Sequence, residues 1–418
     1  MLIALAAMAG SVAAQAAASL ESAEKAFKAG RFAEAEPLYR AAVTQDATNL
    51  VALRQLGRLA LLSNRFEESE RWLTRALAIE SSDVAAKQLL AETAYRQDRF
   101  PQVASLLRGG REDLKARLLD SFRDLVPYQI EGSAEEAHLA FVQTDPIPVV
   151  KVRANGHEGY FIIDTGGSEV YLEPDFAKAI GAWVIGGGEK AGFAAGQTRE
   201  VQKGRLESLT LDRLTVRNIP VNIVDTKFIG SDAVAKGITI NGFIGTVLLY
   251  HFLPTIDYPK AELVLRRRTP ENLRRFEEQA RREGQTVLPF WMAGDHLMVT
   301  WASAHRGKPS LFLIDTGGAG VGLVPGPTYV REAGIELPNG GAGHDTAGAR
   351  GIRFTADQIS LGPLTERDLP ASFGPFPAQM ENGLGFMLAG IVSHEFFKHY
   401  AFTIDFAGMR CFLKRGAR

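Results

Sequence analysis

An internal duplication constrains this chain more than any other feature of its sequence. The strings YFIIDTGG, ending at Gly167, and LFLIDTGG, ending at Gly318, place Asp164 and Asp315 151 residues apart. Three later landmarks recur in the same order, at offsets of 148 to 150 residues: Pro220 with Pro370, Gly242 with Gly390, and Asp257 with Asp405. Chance does not keep four landmarks in order at a nearly constant spacing. The second half of the chain therefore folds as two equivalent lobes.

Each copy has the residue pattern of β-strands. In the string IPVVKVRANGHEGYFII, apolar residues alternate with polar ones, and Asn155-Gly156 separates two such runs, which is typical of a β-hairpin. We predict two mostly antiparallel, all-β lobes, at residues 131–268 and 285–418. Because the region before them has a helical pattern, the predicted fold class is multidomain, with an all-α part followed by the two β lobes.

Residues 269–284, between the copies, have the pattern of a linking helix. In the string TPENLRRFEEQARREG, Thr269 suits the N-cap, Pro270 the first helical position and Gly284 the residue after the helix. An apolar stripe repeats at helical spacing on an otherwise charged segment, through Leu273, Phe276 and Ala280. We predict an exposed helix that joins the lobes.

Residues 17–130 contain a helical repeat. Phe32, Phe66 and Phe100 are 34 residues apart, and each follows an arginine. A 34-residue period is typical of helix–turn–helix arrays, whose units stack because one helical hairpin cannot bury its apolar face. The segment resembles the tetratricopeptide repeat family at its packing positions: Gly57, Ser69, Leu73 and Ala76 in the best copy, Ala35, Tyr39 and Ala42 before it, and Val103 and Leu107 in a weaker third copy. Two interpretations stay open: a spacer or dimerisation arm, and a concave surface that binds a protein partner or a substrate.

The first residues and the composition bear on location and partners. Residues 1–16 are an apolar run that ends in Ala14-Gln15-Ala16, the pattern of a signal peptide, so we expect a secreted or periplasmic bacterial protein; an N-terminal helix is the alternative. A net charge of −1 favours no nucleic-acid partner. No later segment has the roughly 20 consecutive apolar residues of a membrane span. The single cysteine, Cys411, excludes an intrachain disulfide.

The twin aspartates end apolar runs, which are expected inside the protein. Burial by itself disfavours the charge of a carboxylate. The Thr-Gly-Gly that follows each aspartate permits a tight turn, whose amides can point at the carboxylate. If a near-twofold axis brings Asp164 and Asp315 together, the two carboxyls share a proton, because two adjacent like charges repel. One is then a base and the other an acid, which suits the activation of a water molecule beside a carbonyl.

At this point the chain resembles the aspartic peptidases, and most closely the retropepsin-like and bacterial aspartyl protease domains. The resemblance covers about residues 137–266 and 286–416, and it rests on the Asp-Thr-Gly turns and on the string GFIG at Gly242–Gly245. It implies paired, closed β lobes with Asp164 and Asp315 as a catalytic dyad. It also implies support of the dyad from the residues that follow each aspartate: Thr165, Gly166, Thr316 and Gly317. The threonines are expected to bond across the lobe interface.

The resemblance also implies a flap over the substrate from each lobe. The candidate flaps are the glycine-rich segments 191–199 and 342–350, each about thirty residues after an aspartate, with these candidate residues: Gly192, Phe193, Gly196, Gly343, His344 and Gly348. The chain departs from the family where Gly167 and Gly318 replace the usual Ala, Ser or Thr, and where Ser393 replaces the second glycine of the later motif. Without a hydroxyl donor after Asp-Thr-Gly, we expect activity to peak at about pH 5–7.

The predicted function is therefore that of an aspartic endopeptidase, a hydrolase acting on peptides or proteins. One chain holds both half-sites, so we expect a monomer with its lobes paired within the chain. The mechanism needs no cofactor and no metal; His394 and His399 are five residues apart, which does not place both on one face of a helix as a zinc motif requires. The alternative function is a catalytically silent protein that binds peptides or serves as a scaffold, using its helical array and its cleft.

Overall fold

The computed structural model describes residues 19–192, 198–226, 237–338, 342–344, 350–374 and 383–417. Residues 1–18, with the predicted signal peptide, lie outside this range. The described residues form two compact units: residues up to Arg111 together with 383–387, and the remainder from Glu112 onward. The first unit is helical and the second is rich in β-structure. The predicted fold class is confirmed.

The helical unit begins with six helices in antiparallel succession. They are α1 (19–28), α2 (Phe32–Gln45), α3 (Leu50–Leu62), α4 (Phe66–Ile79), α5 (Val84–Tyr95) and α6 (Phe100–Leu107). Phe32, Phe66 and Phe100, the residues that define the 34-residue period, each begin a helix. The period therefore corresponds to one helical hairpin.

Small residues let neighbouring helices approach each other closely. A methyl group on Gly57 of α3 would lie 2.6 Å from Leu73 Cγ of α4, so only glycine allows this contact. Leu73 and Ala76 are fully buried, and the buried Ser69 hydroxyl lies 3.0 Å from that of Thr93 on α5. The packing positions identified in the sequence therefore form the core between successive helices.

The short segment 383–387 packs on the first helices of the array. Phe386 is 2% exposed, and its ring meets those of Phe27 and Phe32 edge-on at centroid distances of 6.0 and 5.2 Å. Arg58 Nη2 donates a hydrogen bond to the Gly383 carbonyl at 2.8 Å, and the Met387 amide donates to the Lys28 carbonyl at 2.9 Å. Part of the array surface is thus covered by a segment of the same chain.

The second unit contains the helix α7 (Asp113–Asp120), the linking helix Pro270–Arg282, several short helices and the strands. The short helices are Pro174–Ala179, Thr246–Leu249, Pro327–Ala333 and His394–Phe397. The strands of the first copy and its continuation are β1 (Gln129–Glu131), β2 (Glu136–Gln143), β3 (Val149–Ala154), β4 (His157–Ile163), β5 (Val170–Leu172), β6 (Trp183–Gly192), β7 (Thr198–Leu211), β8 (Leu214–Ile223), β9 (Gly242–Ile244), β10 (Phe252–Asp257) and β11 (Glu262–Arg267). Those of the second are β12 (Thr286–Pro289), β13 (Trp291–Ala293), β14 (Leu297–Ala304), β15 (Ser310–Asp315), β16 (Leu323–Pro325), β17 (Ala342–His344), β18 (Arg350–Leu361), β19 (Leu364–Phe373), β20 (Gly390–Ser393), β21 (Tyr400–Asp405) and β22 (Arg410–Arg415).

Each lobe is a closed β barrel, and the strand order is the same in both. Among the described strands the ring is β3-β4-β9-β5-β8-β7 in lobe 1 and β14-β15-β20-β16-β19-β18 in lobe 2, closed by the pairs β3–β7 and β14–β18. The predicted turn at Asn155-Gly156 joins β3 to β4, with φ angles of 47° and 81° that suit a tight hairpin. The internal duplication of the sequence is therefore a duplication of topology.

A shared sheet joins the ends of the two lobes. The hairpins β10–β11 and β21–β22 meet in the order β22-β21-β10-β11, with Thr255 directly opposite Thr403. These threonines occupy equivalent positions of the duplication, and their hydroxyl oxygens are 2.7 Å apart. A contact between equivalent residues places the near-twofold axis at this pair.

The linking helix spans Pro270–Arg282 and packs on this shared sheet. The Thr269 side chain accepts a hydrogen bond from the Asn272 amide at 3.2 Å, and Gly284 follows the helix with a φ of 62°. The apolar stripe of this helix is buried, because Phe276 and Ala280 pack against Leu253 of β10 and Phe412 of β22. The charged side of the helix remains toward solvent.

Helix α7 belongs to the β unit, although the sequence pattern places the end of the array near residue 130. Its buried face, which includes Leu118 and Leu119, packs on β6 and β7. Lys115 Nζ lies 3.2 Å from Asp295 Oδ2, in the turn between β13 and β14. Contacts therefore divide the chain between Arg111 and Glu112. In the described part of the chain, no helix combines the length and the apolar character needed to cross a membrane.

Candidate active site

Each of the twin Asp-Thr-Gly turns comes at the end of a barrel strand, β4 in lobe 1 and β15 in lobe 2. Strand β4 runs parallel to β9, and β15 runs parallel to β20. The Asp164 amide donates to the Ile244 carbonyl at 3.0 Å, and Asp315 lies opposite Ser393. The apolar residues before each aspartate are buried, whereas Asp164 and Asp315 are partly exposed. Each aspartate therefore lies at the edge of a hydrophobic core, at the end of a strand whose last apolar residues are buried in that core.

Two threonines connect the turns across the lobe interface. The Thr165 amide donates to Thr316 Oγ1 at 3.1 Å, and the Thr316 amide donates to Thr165 Oγ1 at 2.9 Å. The Thr316 hydroxyl also donates to the Ile163 carbonyl, at 3.3 Å. Both side chains are fully buried, so these bonds have no competition from water. They lock the relative position of the two aspartates.

The carboxyl groups of Asp164 and Asp315 meet and share a hydrogen bond. Each one lies against the glycine of the opposite turn. A methyl group on Gly166 would be 2.5 Å from Asp315 Cγ, and one on Gly317 would be 2.2 Å from Asp164 Oδ1. Glycine is required at both positions because the carboxyls occupy the space of a side chain.

Backbone amides surround the pair. Asp164 Oδ1 accepts hydrogen bonds from the Gly166 and Gly167 amides at 2.9 and 3.2 Å, and Asp315 Oδ1 accepts one from Gly317 at 2.7 Å. Burial, and then the charge of Asp315, raise the pKa of Asp164, while the amides oppose this shift. Burial also raises the pKa of Asp315. The pair therefore keeps a proton at pH values where ordinary carboxyls have lost theirs.

A partly buried cluster of charges adjoins the pair, and the sequence analysis did not identify it. His296 Nδ1 lies 2.6 Å from Asp295 Oδ1, and its charge lowers the pKa of Asp315. Burial opposes the charges of both Asp295 and Lys115, but their attraction lowers the pKa of Asp295 and raises that of Lys115. Glu169 also contributes to the raised pKa of Lys115, so the cluster reaches lobe 1.

The duplication contained a signal for this cluster. Asp145 and Asp295 are 150 residues apart, which matches the offset of the other landmarks. Asp145 lies before β3 in lobe 1 and Asp295 before β14 in lobe 2. Two of their partners lie far away in the sequence: His394, whose Nε2 is 2.8 Å from Asp145 Oδ1, and Lys115, which pairs with Asp295. The positions of the acids were therefore open to sequence reasoning, whereas these two partners were not.

One group of side chains in the described residues has the composition of a metal site. Asp145, His394 and Glu395 place ligand atoms within 4.8 Å of one another. Lys398 already occupies the neighbourhood, with its Nζ 2.8 Å from Glu395 Oε2 and 3.6 Å from Asp145 Oδ1. A lysine cation beside both carboxylates repels a second cation, so this arrangement serves as an ion-pair network between the lobes.

The described ends of the candidate flap segments lie in antiparallel strand pairs. Gly192 ends β6 and pairs with Thr198 of β7, while Gly343 and His344 of β17 pair with Gly351 and Arg350 of β18. Three other candidate flap residues, Phe193, Gly196 and Gly348, lie outside the described residues. The described backbone thus shows the arms of a hairpin in each lobe, at equivalent positions of the two barrels.

Comparisons with known proteins match both parts of the chain. Residues 150–247 match the family model described as aspartyl protease, and residues 26–93 match the one described as tetratricopeptide repeat. Among solved structures, a retropepsin-like aspartic protease from Rickettsia conorii is similar at 19% identity, over 33% of this chain and 92% of that chain, with a TM-score of 0.23. A search of curated proteins finds no match.

The matched ranges contain the residues that carried the resemblance in the sequence. The aspartyl protease match includes Asp164, its turn and Gly242–Gly245, and the repeat match includes Phe32, Gly57 and Phe66. Lobe 2 lies beyond the matched range but repeats the strand order of lobe 1. The predicted resemblance is confirmed: the chain carries tetratricopeptide repeats followed by an aspartyl-protease-like domain.

Proposed function

We propose that this protein is an aspartic endopeptidase in which Asp164 and Asp315 together activate a water molecule. The observation that carries the proposal is the contact between the two carboxyls, which share a hydrogen bond while remaining partly exposed. A purely structural pair of buried acids would be costly, because like charges and burial both disfavour ionisation. Such perturbed pairs are concentrated at catalytic sites.

The proposed mechanism uses the pair in its singly protonated form. The ionised carboxylate takes a proton from water, and the water oxygen attacks the carbon of the scissile peptide bond. The protonated carboxyl donates its proton to the carbonyl oxygen, which yields a neutral tetrahedral intermediate. When the intermediate collapses, one of its hydroxyls gives its proton to the carboxylate that had protonated the carbonyl oxygen, the C–N bond breaks, and the leaving nitrogen takes up the proton of the other carboxyl. Each acid thus acts once as donor and once as acceptor.

The rigid support of the dyad favours this chemistry. The crossed bonds of Thr165 and Thr316 fix the separation of the carboxyls, and the amides of Gly166, Gly167 and Gly317 orient their oxygens. Groups that are oriented before the substrate binds need no rearrangement in the transition state. The substrate class is an extended peptide or protein segment, over which the two flap hairpins close and exclude water.

The proposal includes an assembly and a location. Both aspartates belong to one chain, so the active form is a monomer with its lobes paired internally. Residues 1–16 have the composition of a signal peptide, which supports export to the periplasm or the medium. The peptidase would then act on proteins outside the cytoplasm, and the repeats would contribute a surface for a protein partner.

The test is hydrolysis of an unstructured polypeptide by the pure protein, with Asp164→Asn and Asp315→Asn as variants. We expect each substitution to lower kcat/KM by at least about 1,000-fold, since the mechanism needs both protonation states. A substitution that leaves most of the activity would contradict the dyad mechanism. If the wild-type protein cleaves nothing but binds peptides, the silent peptide-binding function is the correct one.

Urea unfolding of the same variants shows whether they are folded. Because the folded dyad has a raised pKa, its contribution to stability is largest below the unfolded carboxyl pKa of about 3.9 and is lost as the pH rises through the folded value. Asparagine carries no such penalty. We therefore expect each variant to gain stability relative to the wild type between pH 4 and pH 8, measured by urea unfolding.

A further inference from the structure

The two halves of the dyad do not receive the same hydrogen bonds from their own turns. In lobe 1 both the Gly166 and the Gly167 amides point at the Asp164 carboxylate. In lobe 2 only the Gly317 amide points at Asp315, because the Gly318 amide donates instead to Ser393 Oγ at 3.0 Å. The duplicated turns are thus alike in sequence and different in their hydrogen bonds.

Ser393 is built into the turn of lobe 2. It ends strand β20, lies opposite Asp315 in the parallel pair β15–β20, and is 1% exposed. Its hydroxyl donates a hydrogen bond to the Asp315 main-chain carbonyl and accepts one from the Gly318 amide. A methyl group on Gly318 would lie only 2.3 Å from Ser393 Oγ, so the serine hydroxyl occupies the space of the missing side chain at 318.

Lobe 1 has no room for a serine side chain at the position equivalent to Ser393. Its equivalent residue is Gly245, where a methyl group would lie 2.2 Å from the Ser168 carbonyl oxygen and 2.4 Å from that of Glu169. By contrast, a methyl group on Gly167 would lie no closer than 3.2 Å to another group, Asp164 Oδ2. The replacement of glycine by serine at 393 is therefore specific to lobe 2 and accompanies the glycine at 318.

We propose, on the basis of the proposed peptidase function, that Ser393 is a positioning residue that keeps the Gly318 amide away from the Asp315 carboxylate. Hydrogen bonds to an ionised carboxylate favour its charged form. By withholding one such donor, Ser393 keeps the proton on the dyad up to a higher pH. The dyad then reaches its singly protonated, active form in weakly acidic to neutral solution rather than in strong acid.

Other charged and polar groups act on the same carboxyl. The hydrogen bond with Asp164, the charge of His296 and the Gly166 amide each act to lower the pKa of Asp315, against the effect of burial. Tyr258 lies nearby: burial, and then the charge of Asp315, raise the pKa of its hydroxyl. In the described part of the chain, the Ser393 hydroxyl bonds to main-chain groups of Asp315 and Gly318 and to none of these groups. A substitution at 393 therefore changes the backbone donors while leaving this charge environment in place.

The test is the acid limb of the pH profile of kcat/KM for Ser393→Gly, Ser393→Ala and Ser393→Thr. We expect the first two to move the acid limb down by roughly one pH unit, a tenfold change in proton affinity, because the freed Gly318 amide turns to Asp315 as Gly167 does to Asp164. Ser393→Thr keeps the hydroxyl and should keep the wild-type limb. Ser393→Ala retains the β-carbon and carries the test if Ser393→Gly does not fold.

A matched control separates this effect from a loss of stability. Thr300 of β14 is 3% exposed, and its hydroxyl donates to the Pro289 carbonyl at 2.7 Å, in the same lobe but outside the Asp-Thr-Gly turn. Thr300→Val removes a comparable hydrogen bond and should leave the acid limb in place. An unchanged limb in folded Ser393→Gly and Ser393→Ala, or an equal shift in Thr300→Val, overturns the proposal.

A second readout does not depend on peptidase activity. The wild-type protein loses stability as the pH rises, because the pKa of its folded dyad is raised. If Ser393→Gly lowers that pKa, the variant loses less, so it should gain stability relative to the wild type between pH 4 and pH 8. A tenfold change in proton affinity corresponds to about 1.4 kcal/mol of unfolding free energy. If no peptide is cleaved, this measurement still decides the role of Ser393, while the proposed function fails separately. A pH-independent difference contradicts the positioning role.

Discussion

The two glycines that follow the Asp-Thr-Gly sequences differ in what can replace them. A β-carbon at position 167 would lie 3.2 Å from Asp164 Oδ2, a distance at which a serine hydroxyl can reach the carboxylate. At position 318 the same atom would collide with Ser393 Oγ. A hydroxyl donor can therefore be introduced directly in lobe 1, whereas lobe 2 accepts one only together with a change at 393.

This difference leads to a prediction about Gly167→Ser. The new hydroxyl should donate to the ionised Asp164 and lower the dyad pKa, so we expect the acid limb of kcat/KM to move down by about one pH unit from a wild-type profile that peaks at about pH 5–7. The measurement is a pH–rate profile on a peptide without titrating groups. Gly167→Ala, which adds the β-carbon without the hydroxyl, is the control. An acid shift of equal size in the alanine variant would show that packing, and not the donor, is responsible.

At the scale of elements, a hydrogen bond between Asp145 and His394 joins the loop before β3 to the helix His394–Phe397. His394 is fully buried, and its Nε2 bonds to Asp145, which also lies 3.6 Å from Lys398. The hydrogen bond from His394, and then the charge of Lys398, lower the pKa of Asp145 to about 2. The stabilising effect of the Asp145 charge is therefore present above the unfolded carboxyl pKa of about 3.9 and is lost as the pH falls toward 2.

Substitution of Asp145 should weaken the contact between these elements. Asp145→Ala leaves the buried His394 ring without its acceptor, which we expect to lower the free energy of unfolding by about 1–3 kcal/mol at pH 7. Asp145→Asn keeps an acceptor oxygen and should lose less. The measurement is urea unfolding at pH 7 and pH 3, and the difference between alanine variant and wild type should shrink at the lower pH. A difference that is independent of pH would exclude the charge as its source.

At the scale of the whole molecule, both aspartates and the turns that contact them belong to one compact unit of the chain. The β unit begins at Glu112, because α7 packs on β6 and β7 and because Lys115 pairs with Asp295 beside the dyad. The helical unit includes the segment 383–387, whose Phe386 is buried against Phe27 and Phe32. The array therefore binds part of its own chain, in addition to any surface that it offers to a partner.

The position of this boundary predicts the behaviour of two fragments. Residues 112–418 should form a monomer that keeps the dyad activity, whereas residues 131–418 should be less stable by roughly 4 kcal/mol or more. The shorter fragment lacks three large side chains that are almost fully buried in the β unit: Leu118, Leu119 and Phe122. It also leaves Asp295 without Lys115. The measurements are urea unfolding, light scattering and activity on dilution.

A single substitution separates the two contributions. Lys115→Ala in the full chain removes the ion pair while keeping the buried face of α7. We expect it to lower stability less than the loss of residues 112–130 does, since packing supplies most of the energy. Equal stability of the two fragments would show that α7 is not part of the folded β unit. Activity that disappears on dilution would favour pairing of lobes between chains.

Local patterns were sufficient for much of the fold. The 34-residue period, the hairpin at Asn155-Gly156 and the cap at Thr269 depend on residues close together in the chain, and the structure has helices or hairpins at each. The duplication predicted two equivalent lobes, because equal sequences bury equal faces. Asp164 and Asp315 could be selected for the same reason: each is a charged residue at the end of an apolar run, repeated at the offset of the lobes.

Only the tertiary structure decided which distant residues complete the site. Lys115 is 180 residues before Asp295, and Ser393 is 75 residues after Gly318, so no local periodicity connects the members of either pair. The burial of the linking helix and the docking of Phe386 likewise depend on surfaces that exist only after the strands and helices have formed. Sequence by itself determined the repeating units and their acids, since propensity and patterning act over a few residues. The unequal hydrogen bonds of the dyad were decided by packing, because the space beside Gly318 admits the Ser393 hydroxyl and the space beside Gly245 does not.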